Sequence, residues 1–289
     1  YPVELASDKT IEYAALPCKE FLEGVGAVKG EMLPDESMRM LNGVCFTSED
    51  GKLALVSTSG HTLALVRLPY TANKVLADRK VIIPYKIARC LDRLLDARMG
   101  LTIRGDGAMI FFAQSGDLPP QTRKGSVGGF FFAEPCLGGS ANKTVVMSRL
   151  SAGRAFADYI QVIPAEFTFS IICQREILLH AVEQVAILVA GERSHPLVME
   201  FMDDTKLSIR SNNLYQGEAK QYVECQLVEG KRKEAFPGIG FNAVYITRIL
   251  RAIPSDKVRI RFTTQAGAMK FEAVGMEDTF LWVLMPMRY

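Results

Sequence analysis

The sequence holds no Cys-x-x-Cys pair, no apolar run near the roughly 20 residues that a membrane span needs, and no large excess of either charge. Each lack removes a class of protein. The six cysteines, Cys18, Cys45, Cys90, Cys136, Cys173 and Cys225, are scattered without zinc-ligand spacing. No metal centre is therefore expected, and the thiols read as reduced, as in a cytosolic compartment. No membrane segment is expected, and the opening residues show no signal-peptide pattern. A net charge of +2 over 289 residues is too small to announce a nucleic-acid binder, so a basic surface would have to come from uneven placement. Finally, there is no Gly-x-Ser-x-Gly elbow, His-Glu-x-x-His pair or phosphate loop. A hydrolase built on His61, His180 or His195 is left without a supporting motif.

What is present is material for a core. The chain is 48% hydrophobic and long enough for two domains of ordinary size. Pro17 to about Val28 reads as a helix with Phe21, Leu22, Val25 and Val28 on one face, although Gly24 and Gly26 weaken it. Residues 43–58 form a hairpin around Asp50-Gly51, and Thr62 to Leu68 is a further strand ended by Pro69. The spacing predicts a second helix from Pro84 to about Ala97. Its apolar stripe is Ile87, Leu91, Leu94 and Leu95, and Lys86, Arg89 and Arg93 share the far side. Strands at 101–104 and 109–112 come next, joined through Gly105 to Gly107. From about 113 to 143 the composition shifts to glycine, proline and small residues around the run Phe130 to Phe132, which reads as an excursion from the sheet. A strand at 144–147 resumes the domain, and a linker is expected at Pro164.

The second half repeats the first. A helix from about Arg175 to Val189 answers the Pro17 helix, and a hairpin at 196–212 answers 43–58. Phe46, Leu53, Leu55 and Ser57 correspond to Phe201, Leu207, Ile209 and Ser211. A helix from Asn242 to Ile253, again apolar on one side and carrying Arg248 and Arg251 on the other, answers the basic helix. Strands at 257–262 and 268–272 close the repeat, giving one α+β unit used twice, at 1–164 and 165–289. The chain ends on Val283-Leu284-Met285-Pro286-Met287-Arg288-Tyr289, an apolar tail where most termini are polar and frayed. Phe280 to Val283 enters as a strand that Pro286 stops. The tail then either completes a core strand or lines a groove.

Several strings resemble one family: Leu41 to Val44, Val56 to Ala64, Asp158-Tyr159 with Val162 to Pro164, Phe241-Asn242 with Tyr245, and the ending Val283 to Arg288. They are similar, in order, to the second and third domains of the bacterial DNA polymerase III beta subunit, the sliding clamp. That resemblance implies two copies of the DNA-clamp domain, each with paired helices against antiparallel sheets, as part of a six-domain ring around duplex DNA. Lys19, Lys86, Arg89, Arg93, Arg248 and Arg251 would then face phosphates across the pore, a sequence-independent and salt-sensitive contact. It also implies a groove between the second and third domains for short apolar peptides from replicative and repair polymerases and the clamp loader. Carried over by position, the groove comprises Leu41, Thr58, Gly60, His61, Thr62, Leu63, Ala157, Val162, Asn242, Tyr245 and Val283, Leu284, Met285, Pro286, Met287 and Arg288. Gly60 would permit a tight turn that leaves His61 and Leu63 at the rim.

Thr62 and Gln161 stand where the family usually has arginines, Ala157 where a proline is common, and Tyr289 where leucine ends the chain. The groove is expected to be less basic for it. The implied role is a non-catalytic processivity factor of DNA replication, self-associating into a ring, without cofactor, in the bacterial cytoplasm at the nucleoid. The alternative is a clamp-like scaffold that binds proteins and no longer encircles DNA. The start at Tyr1-Pro2-Val3, without methionine, favours a fragment of a three-domain clamp over a two-domain chain that closes a ring with three copies.

Overall fold

The structure, a computed structural model, describes residues 11–35, 37–38, 41–105, 108–115, 145–150, 156–192, 195–213, 217–230, 238–264 and 266–288. Most of the expected excursion, with Phe130 to Phe132 and Cys136, lies outside them, as do the Asp106-Gly107 turn and Tyr289. Two compact units result. The first comprises residues 1–57 and 66–157, the second 58–65 and 158–289.

The first unit holds β1 (Ile11–Pro17), α1 (Cys18–Val28), β2 (Gly43–Glu49), β3 (Lys52–Thr58) and most of β4 (Thr62–Thr71). It continues with α2 (Val75–Arg79), β5 (Val81–Pro84), α3 (Tyr85–Ala88), α4 (Leu91–Leu94), β6 (Gly100–Gly105), β7 (Met109–Ser115) and β8 (Val145–Arg149). Strands β1, β6, β7 and β8 make one antiparallel sheet in that order. In the other, β2 lies between β3 and β5, with Phe46 opposite both Leu55 and Val81. Helix α1 drops Phe21 onto Phe46 and Phe112, with ring centroids 5.7 and 5.6 Å away, so one aromatic cluster joins the helix to both sheets. Gly24 sits where space is tight: a Cβ on it would stand 3.0 Å from the end of the Leu55 side chain, which would have to give by a few tenths of an ångström.

The predicted helix over 84–97 is corrected to two short ones. Cys90 donates to Ile87 and Arg93 to Cys90, both i to i−3 bonds, which tighten the chain into a turn at Arg89-Cys90 between α3 and α4. Lys86, Arg89 and Arg93 are all exposed, and Leu94 is 45% exposed instead of completing an apolar stripe. Strand β4 also runs past Pro69 to Thr71.

The second unit holds β9 (Phe169–Gln174), α5 (Arg175–Ala186), β10 (Pro196–Phe201), β11 (Lys206–Asn213), β12 (Gly217–Gly230) and β13 (Ile239–Asn242). It ends with α6 (Ala243–Ala252), β14 (Lys257–Phe262), β15 (Met269–Ala273) and β16 (Phe280–Leu284). Periodicity alone does not reveal β9 and β12, whose polar residues alternate too loosely to show a strand. β12 is 14 residues long and serves two partners. Lys206 to Asn213 of β11 pair with its first part, and Cys225 to Gly230 pair with β9, so one strand ties both halves of the unit's sheet.

The repeat seen in the sequence reappears in the hydrogen bonds. Ser57 donates to the Val28 carbonyl at the end of α1, and Ser211 donates to the Val185 carbonyl in α5 at 3.1 Å. The Cys18 amide, opening α1, donates to Met99, and the Arg175 amide, opening α5, donates to Asp256. In each unit a buried serine donates to a carbonyl in the last turn of the helix.

Candidate functional site

The last strand decides how the tail lies. Strand β16 pairs with β15, placing Leu284 opposite Met269 and Val283 opposite Lys270. Val283 and Leu284 are buried, as is Trp282 before them, so this part of the tail is core. Pro286 has no amide to continue the ladder, and the chain turns off the sheet there. Two backbone bonds hold the end of the tail in place. The Met285 amide donates to the His61 carbonyl, and the Met287 amide donates to Gly240 in β13, each at 2.9 Å. Met285 is 41% exposed, Pro286 and Met287 are half-buried, and Arg288 is exposed.

The segment that receives Met285 is a closed turn. Gly60 adopts a left-handed φ of +88°, which a residue with a Cβ takes up only with strain. The Thr58 hydroxyl donates to the Thr62 carbonyl at 2.6 Å and accepts the Gly60 amide at 3.1 Å. The Ser59 amide donates to the same Thr62 carbonyl, and the Ser59 and Thr62 hydroxyls meet at 2.8 Å. With its polar groups joined inside the turn, the segment presents only Gly60 and His61 outward. Thr58, Thr62 and Leu63 are buried, which corrects the expectation that Leu63 stands at the rim beside His61. Thr62 to Val66 of β4 are all buried, so the strand is covered on both faces and Leu63 is core whichever way it points.

Helix α6 supplies the facing wall. Asn242 caps it, its side-chain oxygen accepting the Val244 amide at 2.8 Å, and this fixes the first turn in which Tyr245 sits. The Tyr245 ring stacks on His61 at 5.7 Å with 17° between the planes. Arg248, one helical turn on, brings its guanidinium over the same ring, 5.1 Å from the centroid. His61, Tyr245 and Arg248 thus gather beside the pinned tail around a single ring. Arg248 is expected from the sequence to face DNA, and its place here is missed by that reasoning although its i+3 spacing from Tyr245 is an available signal. Gly240, which accepts from Met287, carries no signal at all.

The other expected groove residues belong to other segments. Val162 is 44% exposed on a single 3₁₀ turn, Ile160 to Val162, beside Ile160 at 62%. Leu41 and Ala157 fall in the first unit, both half-buried, and the Leu41 amide donates to Met38.

Among the expected DNA-facing cations, Lys19, Lys86, Arg89 and Arg93 of the first unit are all exposed. Lys19 lies 3.9 Å from Glu23 one turn along α1, and Arg89 donates to the Tyr85 hydroxyl at 2.8 Å. In the second unit Arg251 is bonded to Glu183 at 2.7 Å, linking α6 to α5.

Comparison with known proteins gives one family throughout. Residues 15–114 match the model described as DNA polymerase III beta subunit, central domain, and residues 160–288 the model for its C-terminal domain. A beta sliding clamp of Proteus mirabilis is 30% identical over 248 residues, 86% of this chain and 58% of that protein. The beta sliding clamp of Escherichia coli strain K12 is 27% identical over 264 residues, 91% of this chain and 62% of that one. The chain thus spans about three fifths of the length of these relatives. A crystal structure of the Pseudomonas aeruginosa DNA polymerase sliding clamp with ligand superposes over 100% of this chain and 69% of its own, with TM-score 0.78 at 22% identity.

Proposed function

We infer the function of this chain from its family: it belongs to the DNA polymerase III beta subunits, the sliding clamps, and carries their central and C-terminal domains. We propose that it is a non-catalytic processivity factor that encircles duplex DNA as part of a self-associated ring and tethers partner proteins by short peptides. In this reading residues 1–164 and 165–289 are the two repeats of the clamp domain. The place of action is the bacterial cytoplasm, on replicating DNA.

The carrying observation is the tail pinned by Met285 to His61 and by Met287 to Gly240, beside the group formed by His61, Tyr245 and Arg248. An exposed thioether next to stacked rings suits an apolar peptide anchor, because methionine adapts its shape to several partners. The proposed partners are replicative and repair polymerases and the clamp loader. Lys19, Lys86, Arg89 and Arg93 are the proposed phosphate contacts, supported by their exposure. Such contacts carry no sequence information and weaken with salt, as sliding requires.

The test is fluorescence anisotropy with a labelled peptide carrying two apolar anchors. Tyr245→Ala should weaken binding by about tenfold or more, whereas Arg93→Glu should leave it unchanged. Full binding by the Tyr245 variant would place the peptide elsewhere. A second reading, a scaffold that no longer encircles DNA, draws on the local offsetting of positive charge: Arg251 pairs with Glu183, and Lys29 with Asp92 at 3.1 Å. Peptide binding without retention on circular DNA would favour it.

A further inference from the structure

Cys225 and Cys173 lie directly opposite each other where β12 leaves β11 and joins β9. The Cys225 amide donates to the Thr205 carbonyl at 2.8 Å, so it points toward the β11 edge and away from β9. In an antiparallel strand a residue's amide and carbonyl point to the same edge. The two cysteines are therefore a non-hydrogen-bonded pair, the kind in which facing side chains come closest, with Cα atoms about 4.5 Å apart. That spacing falls within the window of roughly 4.4 to 6.8 Å that a disulfide spans. Residues facing each other across a ladder also project from the same side of the sheet.

We propose that Cys173 and Cys225 are a redox modification site, closing a reversible cross-strand disulfide when a small-molecule disulfide is present. The thiolate of Cys225, half-buried and the more accessible of the two, attacks one sulfur of the small disulfide. It forms a mixed disulfide and expels one small thiolate. The Cys173 thiol gives its proton to solvent, and its sulfur attacks Sγ of Cys225. The mixed bond breaks and the second small thiolate leaves. Two electrons pass to the small disulfide, and two small thiols are released for one protein disulfide.

Burial, with the neighbouring Cys225 adding to it, pushes the Cys173 thiol up to about 12. Closure is therefore slow at neutral pH and accelerates as pH rises, because only the thiolate attacks. Cys45 has no such neighbour, since it faces Val56 and Ile82 across its two ladders. The staple would act at the junction β12 makes between the two halves of the unit's sheet. It closes a loop of roughly fifty residues and is expected to stiffen the unit.

The experiment treats the full chain with oxidised glutathione at about pH 8.5, alkylates the remaining thiols and maps the peptides by mass spectrometry. The expected product is a cross-linked peptide pair containing Cys173 and Cys225, reversed by dithiothreitol, with the melting temperature raised by roughly 5 °C or more. Cys173→Ala should accumulate glutathione on Cys225, because the resolving sulfur is gone. Cys225→Ser should yield no cross-link and no shift in melting. Glutathione persisting on Cys225 of the unsubstituted chain would overturn the proposal. So would recovery of both cysteines alkylated, or bonding of either to another cysteine.

Discussion

The two units share a backbone plan and differ in what they do with side chains. In both, a serine from the second strand of the hairpin caps the carbonyl end of the first helix, and the amide that opens that helix is tied to the same place in the fold. The aromatic clusters differ. In the first unit the helix takes part, through Phe21 against Phe46 and Phe112. In the second the cluster is made by strands alone, Phe169, Phe201 and Phe262, with centroids 4.7 to 5.3 Å apart. Charge is partly shared: Arg89 lies over the Tyr85 ring in the first unit as Arg248 lies over Tyr245 in the second, at 5.4 and 5.1 Å, while the second unit also bonds Arg251 to Glu183 between its two helices. Buried backbone groups must be satisfied in each copy, so those contacts persist, while surface charge is free to diverge.

The largest expected effect probes the aromatic clusters. Phe46 is fully buried and Phe201 only partly, so Phe46→Ala should lower stability by about 3–5 kcal/mol and Phe201→Ala by less. Urea denaturation checks this, and equal losses would mean that the clusters are equivalent. The charge difference comes next. Arg89→Glu with Arg93→Glu should flatten the slope of log affinity against log salt by about 2, that is about 1 per cation, and Arg251→Glu by well under about 1, since its partner Glu183 already offsets it. A flattening by about 1 for Arg251→Glu would show that the pair with Glu183 does not matter for DNA.

The shared serines sharpen the comparison from the other side. Ser57→Ala and Ser211→Ala should each cost about 1–2 kcal/mol and resemble each other, because each removes the same buried serine-to-carbonyl bond. Chemical denaturation of the two variants side by side checks this, and a loss confined to one would mean that the two helix ends are held differently. The smallest effect is a pH dependence. The Arg210 hydrogen bond holds the Glu200 carboxyl below its usual range near 4.5. Its contribution to stability is thus complete above that range and is lost as pH falls through the lower folded value. The pair is partly exposed, so the increment should stay under about 1 kcal/mol. Melting curves of Glu200→Gln and the unsubstituted chain between about pH 7 and 3 should converge at the acid end.

Much of the fold is legible in the sequence. Hydrophobic period places α1, α5 and α6, the turn at Asp50-Gly51 places the first hairpin, and the matching of Phe46 and Ser57 to Phe201 and Ser211 exposes the duplication. The split of α3 from α4 is not legible, since the apolar spacing of Leu91, Leu94 and Leu95 suits a continuous helix and only the i to i−3 bonds at Cys90 break it. Of the groove residues, His61 and Met285 are readable as surface. Val283 is readable as the end of a core strand, whereas Leu63 is not readable as core, because burial at a strand end depends on which neighbour the strand meets. The packing of Arg248 over Tyr245 is legible in their i, i+3 spacing.

The most direct measurement loads the chain onto a nicked circular plasmid with a bacterial clamp loader and ATP, then passes the mixture over a sizing column before and after the plasmid is linearised. An encircling clamp stays with the circle and slides off the linear form. Equal retention on both, or release from both, would contradict the account.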